Sequence, residues 1–197
     1  MSGVLEPFVE GVVTLYLKSN RDLHTLSGFD LIRSRQALGT DMARFAGASV
    51  LAELVLRLAP AERDDLLYDT LREGLDALLA APVETVPGLA AARIWKLVGV
   101  LGFEPSLESC LSCGRPVLAG EGARFDTLEG GIRCLQCAPA GHALDSHGLE
   151  TLRELSENQV PGQLVGPQLL ILKEFIRVHI AEEIRIRSLD FLTIDDE

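Results

Sequence analysis

Cysteine is the residue type whose placement in this chain most clearly carries chemistry. All four cysteines lie between Cys110 and Cys137, as Cys110-x2-Cys113 and Cys134-x2-Cys137 with twenty residues between the pairs. A two-residue gap brings both sulfurs of a pair to one point, and the backbone N–H groups of the turn face them. The intervening residues form a loop or hairpin that returns the second pair to complete a tetrahedron. That donor set suits one structural Zn²⁺, bound at about 2.3 Å per sulfur. Four thiolates leave no open position for water, so a catalytic zinc is not expected. Cysteines kept as core residues without metal, an iron–sulfur centre and redox dithiols are the other readings of this spacing. A disulfide framework is not, because four clustered cysteines in a chain of 197 residues are too few to build one. His142 and His147 follow the second pair and are read as non-ligands.

The cysteine module itself is near neutral or acidic, with Arg115, Arg124 and Arg133 against Glu108, Glu121, Asp126 and Glu129. A structural or protein-contact role therefore suits it better than phosphate binding. Candidate phosphate contacts lie elsewhere. Lys18 and Arg21 flank an expected hairpin, and Arg33 and Arg35 would face the same way if the following strand extends that far. Ordinary solubilising charge is the competing reading of these four. Arg93 with Lys96, and Arg185 with Arg187, make two further basic pairs. Trp95, Tyr16 and Tyr68 are a thin supply of rings for stacking bases.

No nucleophile is paired with a base, and no glycine-rich phosphate loop is present, so an enzyme is not expected. His24 reads as a core or surface residue, and His179 as part of a solvated helix face. Glu53 reads as a solvated helix residue. Asp64, Asp65 and Asp69 suit a helix start, where the helix dipole favours acidic side chains.

These residues need elements to hold them. Residues 9–17 and 23–32 have the β-branched and aromatic content of two strands, with Lys18 to Asp22 as the turn. From Asp41 the period changes: Phe45, Ala48, Leu51, Val55 and Leu58 share a helical face, and Pro60 ends that helix before a fresh start near Ala61. Leu67, Leu71, Leu75 and Leu78 make the next stripe, and Pro82 and Pro87 bound a short connection. A third helix over about Gly88 to Val100 buries Leu89, Ile94, Leu97 and Val98. After the cysteines, Ser146 to Leu155 forms a helix with a capping residue at its start, and a last helix runs from Gly166 to about Arg185.

Composition sets the frame. Hydrophobic residues at 47% and charged residues at 24% are those of a globular chain. No window of 18 uncharged apolar residues exists, so no membrane partner or span is expected. The start lacks a basic region followed by a long apolar run, so a cytoplasmic protein is expected. A net charge of -11 has the wrong sign for a surface that grips phosphate everywhere, though local basic patches remain compatible with it.

One stretch carries a specific resemblance. Ile94-Trp95-Lys96-Leu97-Val98-Gly99-Val100-Leu101-Gly102-Phe103-Glu104-Pro105 precedes Cys110-Leu-Ser-Cys113-Gly114, then Phe125, Gly130-Gly131 and Cys134-Leu-Gln-Cys137. With the closing Ile176-Arg177-Val178-His179-Ile180 and Arg187-Ser188-Leu189, this resembles the helix–ribbon core of the bacterial RecO family, from about Asp41 to the C-terminus. The resemblance implies a mainly α fold: a helical domain over 41–197 with a four-cysteine zinc ribbon at 106–140 inserted. Ahead of it, residues 1–40 would be a partial OB-fold β segment, similar to the last strands of a five-stranded barrel. The first strands are expected to be missing, through a start inside a longer reading frame or a shortened protein. The implied function is that of a recombination mediator in DNA repair. It would bind and anneal single- and double-stranded DNA and, with RecR, help load RecA onto strands coated by single-stranded-DNA-binding protein. Its location would be the cytoplasm, at the nucleoid during repair. The alternative is a zinc-stabilised protein-interaction domain without direct DNA binding, acting through a hydrophobic pocket of the kind that in the family receives the tail of the single-stranded-DNA-binding protein.

Overall fold

Local capping and packing explain where each element of the computed structural model begins and ends. It describes residues 6–17, 23–161, 166–180 and 185–193. Strands β1 (Glu10–Tyr16) and β2 (Thr25–Arg33) pair antiparallel as a two-stranded sheet, in which Val13 faces Phe29 and Glu10 faces Arg33. The expected turn at Lys18 to Asp22 lies outside the described residues. Helices α1 (Met42–Leu58), α2 (Asp65–Ala80) and α3 (Val86–Val100) follow. The ribbon strands β3 (Ala123–Asp126), β4 (Gly131–Cys134) and β5 (His142–Leu144) come next, then α4 (Ser146–Ser156) and α5 (Gly166–His179). The fold is mainly helical, with the cysteine ribbon set between α3 and α4. None of the described helices is long and apolar enough to cross a membrane.

Several boundaries differ from the sequence expectation, each for a local reason. Helix α2 starts at Asp65 instead of near Ala61, because the Asp64 carboxylate accepts the Leu67 N–H at 2.9 Å and caps the first turn there. Pro87 belongs to the first turn of α3 rather than to the connection, since that turn needs no N–H from it. The cap of α4 is Asp145, accepting from Gly148 N–H at 2.7 Å, one residue before the expected start. Helix α5 runs to His179, and residues 181–184 of the expected extension are outside the described set.

In α1 the single apolar stripe understates what is buried. Ala46, Ala48, Val50, Leu51 and Leu54 are all inaccessible, because α2, α3 and the turn Arg187–Phe191 pack around it. Phe45 instead lies on the rim, edge-on to Phe8 with ring centroids 5.9 Å apart. The C-terminus of α2 points its free carbonyls at Arg44, whose guanidinium donates to Leu78 O and Leu79 O at 2.8 Å and Ala81 O at 2.7 Å. Three charge-assisted bonds at the negative end of a helix make Arg44→Ala a change that should cost about 2–3 kcal/mol, read as a shift in the urea midpoint.

The approach to the ribbon is set by how α3 ends. Phe103 N–H donates to Val98 O and Gly102 N–H to Gly99 O, the paired bonds of a Schellman stop, and Gly102 takes φ +90°. A residue with a side chain at that position would be strained. Beyond the stop, Phe125 and Ile132 of the ribbon are fully buried in the same core as Trp95 and Phe175. Phe175 stands between Trp95 (5.1 Å) and Phe125 (6.3 Å), so one ring joins α3, α5 and the ribbon. The hairpin is the opposite case: Val12, Tyr16, Leu26, Leu31 and Ile32 are all exposed.

Candidate metal centre and basic face

Strand pairing brings the two cysteine pairs together. Ala123 faces Cys134 across β3–β4, and β5 adds to the other side of β3, giving the sheet order β4-β3-β5. The first pair is tied to β4 by Leu111 N–H donating to Ile132 O at 2.9 Å. Each pair closes as a tight turn: Gly114 N–H donates to Cys110 O, and Cys137 and Ala138 N–H donate to Cys134 O. Gly114, just after the first turn, takes φ +70°. The ligand sulfurs of Cys110, Cys113, Cys134 and Cys137 all lie within 4.8 Å of one another. Tetrahedral ligands at about 2.3 Å from a metal stand about 3.8 Å apart, so a small contraction would seat one ion. No histidine joins the four-sulfur group among the described residues, and His142 is engaged elsewhere.

The electrostatics fit a cation at this point. The Cys110 thiol is lowered to about 6, chiefly by the backbone N–H of Cys134, with those of Cys113 and Ser112 adding to it. The Cys137 thiol is pushed up to about 12, first by its hydrogen bond to Cys134 and then by the other crowded sulfurs. Four thiols this close cannot all ionise against one another, whereas one divalent ion would hold all four as thiolates. These cysteines can hold a metal ion.

The ribbon is clamped to the helices by polar contacts absent from any spacing rule. Arg153 of α4 donates to Leu107 O at 3.2 and 3.0 Å and to Val117 O at 2.6 Å. His142 Nε2 lies 2.6 Å from the Glu174 carboxylate of α5. His179 is not on a solvated face: it stacks on Phe175 with ring centroids 4.5 Å apart, and its Nε2 donates to Thr127 O at 2.7 Å. Glu53 also departs from expectation. It accepts both the N–H (2.8 Å) and the hydroxyl (2.7 Å) of Ser188, and those bonds hold its carboxyl low against the opposing effect of burial. The Arg187-Ser188-Leu189 stretch is therefore a latch on α1, with Leu189 fully buried.

Of the candidate phosphate contacts, Arg33 and Arg35 do not share an exposed face. Lys18 and Arg21 are outside the described residues. Arg33 is half exposed and donates to Asp76 at 2.7 Å. Arg35 is 2% exposed and fully engaged: with Glu10 at 2.7 Å, Asp76 at 2.6 Å and Phe8 O at 3.1 Å. A two-residue step along the chain from Arg33 suggested a shared face, but the chain has left β2 by then and Arg35 turns inward to join the hairpin to α2. Tyr68 completes the network by donating to Glu10 at 3.0 Å. The hydrogen bond from Arg35, foremost, holds the Glu10 carboxyl below its ordinary value. Burial opposes the charge on Asp76, and hydrogen bonds from Arg35 and Arg33 overcome it. A cavity of about 340 Å³ lies beside this network, walled by Val13, Phe29, Leu71 and Leu75. Of the other basic pairs, Arg93 bonds Asn158 and Lys96 pairs with Glu73, while Arg185, expected beside Arg187, shares Asp190 with Arg177.

Comparison with known proteins places this architecture. Residues 39–189 match the family model for the recombination protein O C terminal. The chain is 39% identical over 141 residues to a protein named DNA repair protein RecO from Anaeromyxobacter sp. (strain K), covering 70% of this chain and 53% of that one. A protein of the same name from Symbiobacterium thermophilum is 35% identical over 153 residues, covering 75% of this chain and 60% of that one. One from Gloeobacter violaceus is 30% identical over 186 residues, 91% of this chain and 70% of its own length. The chain thus spans little more than half the length of the first two.

Proposed function

Because the chain belongs to the RecO family, we propose that it serves DNA repair as a non-catalytic recombination mediator, binding and annealing DNA and assisting RecA loading together with RecR. The observation that carries this reading is the family match across 39–189, which takes in the stop of α3, the four cysteines and the α5 region. We read the metal as one structural Zn²⁺ held by Cys110, Cys113, Cys134 and Cys137. When bound it supplies folding energy and no reactive position, since every donor is a thiolate. The chain's own residues do the remaining work: the N–H groups of the turns orient the sulfurs, and Arg153, His142 and His179 hold the ribbon against α4 and α5.

On this reading residues 1–40 form an OB-type β segment ahead of the helical domain at 41–197, with the ribbon, expected at 106–140, closed by β5 at His142–Leu144. DNA phosphate is contacted by Lys18, Arg21 and Arg33, while Arg35 braces the segment from within. Single- and double-stranded DNA, RecR and the single-stranded-DNA-binding protein are the partners, and the cytoplasm, at the nucleoid, is the location. A second reading, a zinc-stabilised protein-interaction domain without direct DNA contact, draws on the net charge of -11 and on the burial of Arg35.

Arg33 separates the two. Binding of a labelled single-stranded oligonucleotide, titrated over a range of salt, should weaken in Arg33→Glu, with the slope of log affinity against log salt falling by about 1. An unchanged slope would remove Arg33 from the DNA interface.

A further inference from the structure

The four cysteines differ in how far solvent reaches them. Cys110 and Cys134 are each 1% exposed, Cys113 is exposed and Cys137 is half-buried. Within either C-x-x-C turn, one sulfur belongs to a buried residue. Cys113 and Cys137, one from each turn, make the pair in which both residues are open to solvent. Around them the turns themselves are open, with Leu111 and Leu135 exposed at their tips. The Arg133 guanidinium, ion-paired with Asp126 at 3.0 Å, ties the first turn to β4 by donating to the Ser112 hydroxyl at 2.6 Å. Exposure is what opens a cysteine sulfur to an oxidant.

We propose that Cys113 is an oxidation site, and that a peroxide joins it to Cys137 across the two turns and so releases the metal. The inference rests on the zinc reading above. The Cys113 thiolate attacks one peroxide oxygen, the O–O bond breaks, and the products are a sulfenic acid and hydroxide. The sulfur gives up two electrons and the peroxide takes them. The Cys137 thiolate then attacks the sulfenic sulfur, forming the S–S bond and expelling a second hydroxide. Solvent supplies two protons, so the net change is two thiolates, one peroxide and two protons to one disulfide and two waters. The sulfurs begin within 4.8 Å and must close to about 2.05 Å, a local movement of two turns. Cys110 and Cys134 alone are then left as donors, too few for a closed four-ligand site. The consequence reaches the helices, because Leu107, Val117 and Thr127 of the same ribbon are the groups that Arg153 and His179 grip.

The test uses the purified full chain, with zinc measured before any oxidant is added. Hydrogen peroxide is then titrated in alongside a chromogenic zinc chelator, and the products are mapped by peptide mass spectrometry after alkylation. The expected result is one zinc per chain at the start and its complete loss on oxidation. The chain should lose two mass units, with Cys113 linked to Cys137. A linkage within either turn, or zinc retained with Cys113 still alkylatable under excess peroxide, would overturn the proposal. A chain carrying no zinc at the outset would instead overturn the zinc reading, and the map of oxidised cysteines would still decide which pair forms.

Discussion

Replacing Cys134 with serine should abolish stoichiometric metal binding and lower the unfolding midpoint by on the order of 10 °C. A serine hydroxyl does not ionise at neutral pH and is a poor replacement for a thiolate donor. Cys134 is also where the metal site meets the fold: it closes the β3–β4 register opposite Ala123, and its carbonyl anchors the second turn. The effect is large because the ribbon is not a detachable appendage. Phe125 and Ile132 share one buried cluster with Trp95 and Phe175, so loosening the turns exposes core that α3 and α5 also depend on. Metal content by elemental analysis and thermal melts with and without chelator check this. Chelation should lower the wild-type midpoint by a similar amount and leave the variant where it is. Equal midpoints and equal metal content in both proteins would contradict the four-thiolate site.

Arg35→Met should destabilise the chain by about 3 kcal/mol, the penalty for depriving two half-buried carboxylates and a carbonyl of their charged donor. The loss comes less from the attraction removed than from the two acids left behind, Glu10 and Asp76, with Phe8 O also deprived of a donor. Combining Arg35→Met with Glu10→Gln and Asp76→Asn should therefore recover much of the loss, which a simple packing role for Arg35 would not allow. Arg35→Lys should not substitute, because a single ammonium cannot reach three acceptors in different directions. The network also fixes a pH dependence. Glu10 and Asp76 both titrate lower in the folded chain than in the unfolded one. The unfolded chain thus binds more protons as pH falls below about 4, so stability from these groups is complete at neutral pH and is lost through that acid window. Urea midpoints between pH 7 and 3 should fall less steeply in the triple variant than in the wild type.

What could be read from the sequence follows the physics of range. The cysteine site was legible because metal coordination demands particular residues at short, fixed spacings, and Gly102 and Gly114 mark turns that few other residues can make. The helices were legible through their apolar periods, with errors where capping decided the boundary, as at Asp64 and Asp145. Long-range polar pairings left no trace in any window. Arg35 and Asp76 are 41 residues apart, and Glu53 and Ser188 are 135 apart. A basic residue near the end of a strand looks the same in sequence whether it faces phosphate or turns inward to carboxylates of its own chain. The same limit applies to His179, whose partner Thr127 lies in the ribbon, 52 residues earlier. The roles of Arg153 and Arg44 were not legible at all, since an arginine that serves backbone carbonyls has no spacing signature.

Annealing of complementary oligonucleotides by the purified, zinc-loaded 197-residue chain, at low and at moderate salt, tests the central claim most directly. Acceleration over the protein-free rate is expected at low salt, reduced at moderate salt as counterions compete for phosphate. Folded, metal-replete protein that leaves the annealing rate unchanged at both salt concentrations would contradict a DNA-handling role for this chain and favour the protein-interaction reading.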